Sequence, residues 1–222
     1  TLSQALSLDM IATSAANGWN RPAYFAMTVP DEYYLSLSPY LRSTGLAYQV
    51  SPIYNPDGEK ATWTATDKMY RNVMERFRWG GLDTEAGRNG KLYLDETVRR
   101  MVTTHRSALS DLAYQLFVEG YNAARPMTDS ITGRTAEPDL SYAADRYAKA
   151  VTILNLIEEK LPAKAAPYSV QEGYQIADTY LRIAAETGDK KLKEKGMKIL
   201  HDDLMRYGKY IPYFMELRRS LP

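Results

Sequence analysis

Cysteine is absent from the chain, which excludes disulfides, thiolate metal sites and a cysteine nucleophile, and leaves the redox compartment open. Histidine is scarce: only His105 and His201 could serve as a base, so no Ser-His-Asp arrangement finds support. An excess of charge of either sign is also lacking. Lys and Arg number 28 against 27 Asp and Glu, a net charge of +1, so the basic stripe that neutralises phosphates is missing and no nucleic-acid partner is expected. No run approaches the ~18 apolar residues of a membrane span, and the stretch is expected to be soluble. An initiator Met and a signal peptide are missing too. Thr1-Leu2-Ser3-Gln4 reads as the interior of a longer chain, with any membrane or targeting segment outside it.

What is there is ordinary globular composition, 45% hydrophobic and 25% charged, with one oddity: 18 Tyr against 4 Phe. Tyrosine buries a ring while keeping a hydroxyl for a partner, which suits half-buried helix seams and wet binding surfaces. The length of 222 residues fits one large domain or two small ones. The texture changes near residue 90, giving a mixed helix-and-strand part over 1–90 and a helical part over 91–222.

In the first part, Leu8, Ile11, Ala12 and Ala15 recur at helical spacing, and Asn17-Gly18 offers a stop. Ala23–Met27, bounded by Pro22 and Pro30, reads as a buried strand, and Leu46–Ile53 as a second, followed by the turn Asn55-Pro56-Asp57-Gly58. Tyr33–Leu41 reads as a short helix or an irregular segment. A helix from Thr66 carries Met69, Tyr70, Val73, Met74 and Phe77 on its apolar side and ends at Gly80-Gly81, and 82–91 reads as an exposed loop.

In the second part, Leu94, Val98, Met101, His105, Leu109, Leu112 and Leu116 trace one face of a long helix ending near Gly120. Residues 121–138 read as a long loop. Tyr147, Val151, Leu154, Ile157 and Leu161 define a helix stopped by Pro162. Ser169 and Glu172 form a capping box for the next, which Thr187-Gly188-Asp189 breaks. Leu192, Gly196, Ile199, Leu200 and Leu204 mark its partner, and a last short helix starts near Pro212. The fold class is therefore α+β, mostly α: a mixed N-terminal part packed on tetratricopeptide-like helical hairpins. About two hairpins are present, where stacked repeats usually need three.

Reactive constellations are few. Gly87-Arg88-Asn89-Gly90-Lys91 has the wrong spacing for a phosphate loop, and no cofactor is expected. His201-Asp202-Asp203 reads as a solvated helix face, and no metal site is expected. Asp95-Glu96 suits a helix start, where acids favour the dipole. The most distinctive string is Gly18-Trp19-Asn20-Arg21-Pro22-Ala23-Tyr24-Phe25-Ala26. Trp19 could stack on a sugar ring while Asn20 and Arg21 donate hydrogen bonds; alternatively, Asn20 and Arg21 cap backbone carbonyls at a tight turn. Tyr33, Tyr34 and Trp79 join them as candidate binding residues.

That string, with Leu8–Ala12, Tyr34–Leu41, Gly45–Tyr48, Thr66–Tyr70, Phe77–Gly81 and Tyr93–Thr97, resembles the bacterial multi-spanning family catalogued as domain of unknown function 2723. The resemblance covers roughly the first 120 residues. The membrane portion of that family looks like protein O-mannosyltransferases, whose catalytic acid lies in a loop between early spans, so no catalytic residue carries over. The resemblance implies an extracytoplasmic, periplasmic tail that presents acceptor proteins to the membrane portion of the same chain. Asp129-Ser130-Ile131 resembles the Asp-Ser/Thr-aliphatic acceptor of O-glycosylation in some Gram-negative anaerobes, which makes Ser130 a candidate acceptor. The reading is thus a non-catalytic accessory module contacting proteins or peptides; the alternative is a carbohydrate-binding module built on Trp19, Trp63, Trp79 and the tyrosines.

Overall fold

The computed structural model describes residues 2–55, 63–128 and 135–212. The turn expected at Pro56-Asp57-Gly58, the candidate acceptor Ser130 and the body of the helix expected from Pro212 lie outside those residues. The fold is α+β and mostly α, and the chain divides into two compact units, Thr1–Trp79 and Gly80–Pro222.

The first unit opens with α1 (Leu2–Ala16), which stops where Gly18 and Trp19 both enter the left-handed region, at φ 64° and 61°. The Trp19 amide bonds back to the Ser14 carbonyl at 2.9 Å, and the buried Ser14 hydroxyl donates to the Arg21 carbonyl at 2.7 Å. Four short strands follow: β1 (Tyr24–Ala26), β2 (Leu41–Ser43), β3 (Ala47–Val50) and β4 (Trp63–Thr64). Their order is β1-β3-β2-β4, with β3 antiparallel to β1 and β2, and β4 parallel to β2.

The expectation of a buried first strand needs correction. β1 is an edge strand, so only Phe25 turns inward while Tyr24 and Ala26 stay exposed, the period-2 alternation of a half-covered sheet. The second strand is shorter than Leu46–Ile53, because the Ser51 amide turns to the Tyr40 carbonyl and Pro52 offers no donor. The segment expected over Tyr33–Leu41 is irregular: one 3-10 turn, Asp31–Tyr33, leads into it and a second, Ser38–Tyr40, lies within it, with Leu35 and Ser36 between them at φ 57° and 59°.

The core of the first unit is Tyr34, Leu41 and Val50, with Ile11, Trp19, Ala23, Phe25, Val29 and Tyr48 packed against it. α2 (Thr66–Glu75) buries Met69 and Val73, and Asn72 donates to the Thr44 carbonyl at 2.8 Å. Met74, expected on the apolar side, is exposed. The helix stops before Gly80-Gly81, because the amides of Arg76 and Phe77 both turn to the Asn72 carbonyl.

In the second unit, residues 82–91 are not an exposed loop. Leu82 is buried, and Thr84 caps the short α3 (Glu85–Arg88). Gly87 sits so close to the Leu82 carbonyl that a Cβ would lie 1.9 Å from it. Asp83 pairs with Lys160 at 2.8 Å, and this lowers its carboxyl pKa.

Four long helices make the rest: α4 (Glu96–Ala123), α5 (Leu140–Lys160), α6 (Val170–Thr187) and α7 (Lys190–Gly208). Each start is fixed by a side-chain cap. Asp95 accepts from the Val98 amide, Asp139 from Tyr142 and Asp189 from Lys191, while Ser169 and Glu172 complete the capping box. Gly188, at φ 72°, ends α6. The segment between α4 and α5 holds a two-rung antiparallel ladder, β5 (Met127–Thr128) with β6 (Thr135–Ala136), where a plain loop is expected.

Three contacts set the pairing of α4 with α5: Arg106 meets Leu161, Glu119 meets Arg146, and Gly120 meets Ala143 and Tyr147. Numbers rise on one helix as they fall on the other, so the pair is antiparallel. α6 and α7 pair likewise through Gly173 with Asp203 and Gly196 with Ala177 and Leu181. The close approach at Gly196 leaves no room for a Cβ, which would stand 2.8 Å from Leu181 and 2.9 Å from the Ala177 carbonyl. α4 and α6 lie side by side and parallel, joined by Asp111 with Gln175 and, further along both, Arg125 with Glu186. The result is two antiparallel hairpins stacked through their first helices.

Candidate functional site

The parallel seam of α4 and α6 leaves a groove of about 540 Å³, lined by Ser107, Asp111 and Tyr114 from α4 and by Gln171, Tyr174, Gln175, Asp178, Thr179 and Arg182 from α6. These positions repeat at helical spacing, so each helix contributes one polar-aromatic stripe to the same opening. Beneath it both helices are tightly packed: Leu109, Leu112 and Leu116 on α4 and Ile176, Ala177 and Ile183 on α6 are fully buried.

Next to Ser107 on α4, Arg106 is only 1% exposed. Its guanidinium donates to the carbonyls of Leu161 at 2.7 Å, Pro162 at 3.3 Å and Ala166 at 2.6 Å, lies 4.5 Å over the Tyr168 ring, and faces Glu172 at 3.9 Å. Those carbonyls belong to the α5–α6 connection, so one side chain stitches the first hairpin to the start of the second. Burial lowers the pKa of Arg106 and pushes that of Tyr168 up to about 12.

Within the groove, Gln175 donates to Asp111 at 2.8 Å, and Asp178 is held by Arg182 at 2.5 Å. Desolvation raises the Asp111 carboxyl above its ordinary value despite the hydrogen bond from Gln175. Tyr174 is 59% exposed at the rim. Outside the groove, past the C-terminal end of α4, Arg125 forms two bonds to Glu186, at 2.9 and 3.0 Å, and lies 3.3 Å over the Tyr121 ring.

The residues singled out in the sequence lie elsewhere, in the first unit. Trp19 is half-buried against the Tyr34–Leu41–Val50 cluster. The turn it sits in is closed by Ser14, while Asn20 and Arg21 point outward. Tyr33 is exposed, but Tyr34 is 6% exposed, its ring 5.5 Å from Phe25 and 5.8 Å from Tyr48, and burial pushes its pKa up to about 12. Tyr34 is therefore a core residue rather than a surface one. Trp79 rests on Phe77 at 5.8 Å, and Trp63 lies under the Arg42 guanidinium at 4.0 Å. Trp19 and Tyr34 come together, whereas each of the other two Trp has its own local partner. His105 bonds the Met101 carbonyl at 2.7 Å, and among the described residues no group of three His, Asp or Glu converges as a metal site.

The match to known proteins falls on the first unit. A family model described as TMEM260-associated domain 2 matches residues 2–68. Residues 2–68 of the first unit are thus similar to a TMEM260-associated domain, and the groove of the second unit lies beyond the matched stretch. No curated protein and no solved structure matches the chain. Among the described residues, no helix is long and apolar enough to cross a membrane.

The sequence reading missed Asp111, Tyr114, Tyr174 and Gln175. A signal was present in the outward faces of the two helices, Ser107-Asp111-Tyr114 and Gln171-Tyr174-Asp178-Arg182, whose spacing keeps polar and aromatic groups in register. Its meaning depended on which two helices stack, and that is not local information.

Proposed function

We propose that this chain is a non-catalytic module of a TMEM260-like, glycosyltransferase-related membrane protein, standing on the extracytoplasmic side and holding extended segments of acceptor polypeptides. The observation that carries the reading is the groove between α4 and α6. It is open, lined by polar side chains and two Tyr, and backed by a fully packed floor. Helical hairpins stacked through parallel first helices support a tetratricopeptide-like reading, and arrays of that kind present extended concave surfaces to their partners. The domain match over residues 2–68 supports a TMEM260-like membrane parent, and the link to O-mannosyl transfer rests on the resemblance to domain of unknown function 2723 alone. The carbohydrate-binding reading draws less support, because Trp19, Trp63 and Trp79 are each engaged in separate local packing.

The test replaces Tyr114 and Tyr174 together by Ser in the full-length membrane protein and measures hexose on acceptor proteins by intact mass. Sugar transfer to protein acceptors is expected to fall about tenfold, the loss of two aromatic contacts. Lys193→Ala, on an exposed face of α7, is expected to leave transfer unchanged. Equal transfer by the double variant and the parent, at equal protein level, would reject the groove as the acceptor contact.

A further inference from the structure

Two carboxylates line the α4/α6 groove, and they differ in company. Asp178 is neutralised by Arg182 on its own helix, one turn along. Asp111 has only the neutral Gln175 amide, and among the described residues no cation pairs with it. Arg182 is held by Asp178 one turn back on α6, and its charge also acts on Tyr114 and Tyr174, but it forms no ion pair with Asp111. Asp111 is therefore a solvent-accessible carboxylate on the groove wall with no cation of its own, open to one brought by a partner. Tyr114, one turn from Asp111 on α4, and Tyr174, beside Gln175 on α6, line the same opening. A carboxylate bordered by aromatic rings is the surrounding that a guanidinium or ammonium group prefers, through charge-assisted hydrogen bonds and cation–π contact.

We infer that the polypeptide held in the α4/α6 groove places a basic side chain, Arg or Lys, against Asp111 between Tyr114 and Tyr174. This rests on the peptide-groove reading above and adds the charge of the partner. The Gln175 amide, oriented by its bond to Asp111, provides a second polar contact for the same head group. Arginine, with its planar fork, fits a carboxylate and ring faces together better than lysine does.

The probe is a pair of degenerate nonapeptide pools that differ only at the central residue, arginine in one and its neutral isostere citrulline in the other. Binding of each pool to the full chain is measured at physiological salt, with the Asp111→Asn variant in parallel. The arginine pool is expected to bind about tenfold more tightly, and Asp111→Asn to remove that preference while keeping the helical circular dichroism of the parent. At 1 M salt the preference is expected to shrink. Should Asp111→Asn melt early, Tyr174→Ala at its exposed position takes its place, with an expected loss of about threefold in the arginine preference. If both pools bind equally well and Asp111→Asn changes nothing, the basic-partner inference is overturned while the groove reading stands. An arginine preference that survives in Asp111→Asn overturns the assignment to Asp111. If neither pool binds and Tyr114 and Tyr174 are insensitive to substitution, the groove reading and this inference fall together.

Discussion

Residues 2–79 build their unit from helices of 15 and 10 residues and strands of two to four, whereas the second unit rests on helices of 28, 21, 18 and 19 residues. The first is held by distant pairings, with Tyr24–Ala26 against Ala47–Val50 and Leu41–Ser43 against Trp63–Thr64. It also tolerates Trp19, Leu35 and Ser36 in the left-handed region, at a cost of about 1–2 kcal/mol each. In the second unit the positive-φ positions among the described residues are all glycine, and every long helix begins on a capping side chain. The difference teaches where each unit stores its specificity: the first in a few core contacts that override local preference, the second in local signals confirmed by one buried hub. The two also carry separate optical reporters. All three Trp lie in the first unit, while far-UV circular dichroism is dominated by the helices of the second.

The largest expected effect is at that hub. Arg106→Met leaves the carbonyls of Leu161, Pro162 and Ala166 without their donor and Glu172 without its cation. A loss of about 3–5 kcal/mol is expected, read as an early transition in the 222 nm signal. A melting curve that overlays the parent's would break the claim that one side chain joins the hairpins.

A middle-sized effect comes from alkaline pH. Tyr34 and Tyr168 each have a pKa pushed up to about 12 by burial, above the ordinary value of 10.0. The folded state binds these protons more tightly than the unfolded chain, so their contribution is intact below pH 10 and is lost as pH rises towards 12. Stability followed by Trp emission is expected to fall across that window in the parent and to fall less in Tyr34→Phe. Tyr168→Phe is expected to protect the circular dichroism signal instead. Identical pH curves for parent and variants would contradict the assignment of these hydroxyls to the two cores.

The smallest effect sharpens the contrast in backbone strain. Ser36 is exposed and sits at φ 59°, so Ser36→Gly is expected to stabilise the first unit by about 0.5–1 kcal/mol, seen as a later Trp transition. Ser169→Ala removes an N-cap and is expected to cost the second unit about 1 kcal/mol.

The same contrast governs what could be read from the sequence. Ser169 with Glu172, the break at Thr187-Gly188-Asp189 and the acids at 95–96 were legible, because a cap and the helix it opens lie within four residues of one another. Strands β2 and β4 were not, since two or three residues carry no alternation and their order depends on partners 21 positions away. The loop assignment at 82–91 failed because Gly87 is required by the Leu82 carbonyl, a contact invisible to composition. Tyrosine excess was legible as a fact but not as an arrangement. Tyr147, Tyr168 and Tyr180 are buried, while Tyr114 and Tyr174 line the groove, and only the stacking of α4 on α6 tells them apart.

The account stands most directly on whether a polypeptide occupies the α4/α6 groove. Photocrosslinking from Tyr174→benzoylphenylalanine in the full-length membrane protein, expressed in cells, measures this, with the same substitution at Tyr93 as the comparison, since that residue is 91% exposed and outside the groove. The account predicts protein adducts from position 174 that are absent from position 93 and are lost when Asp111→Asn is added. Equal adducts from both positions, or none from 174, would contradict it.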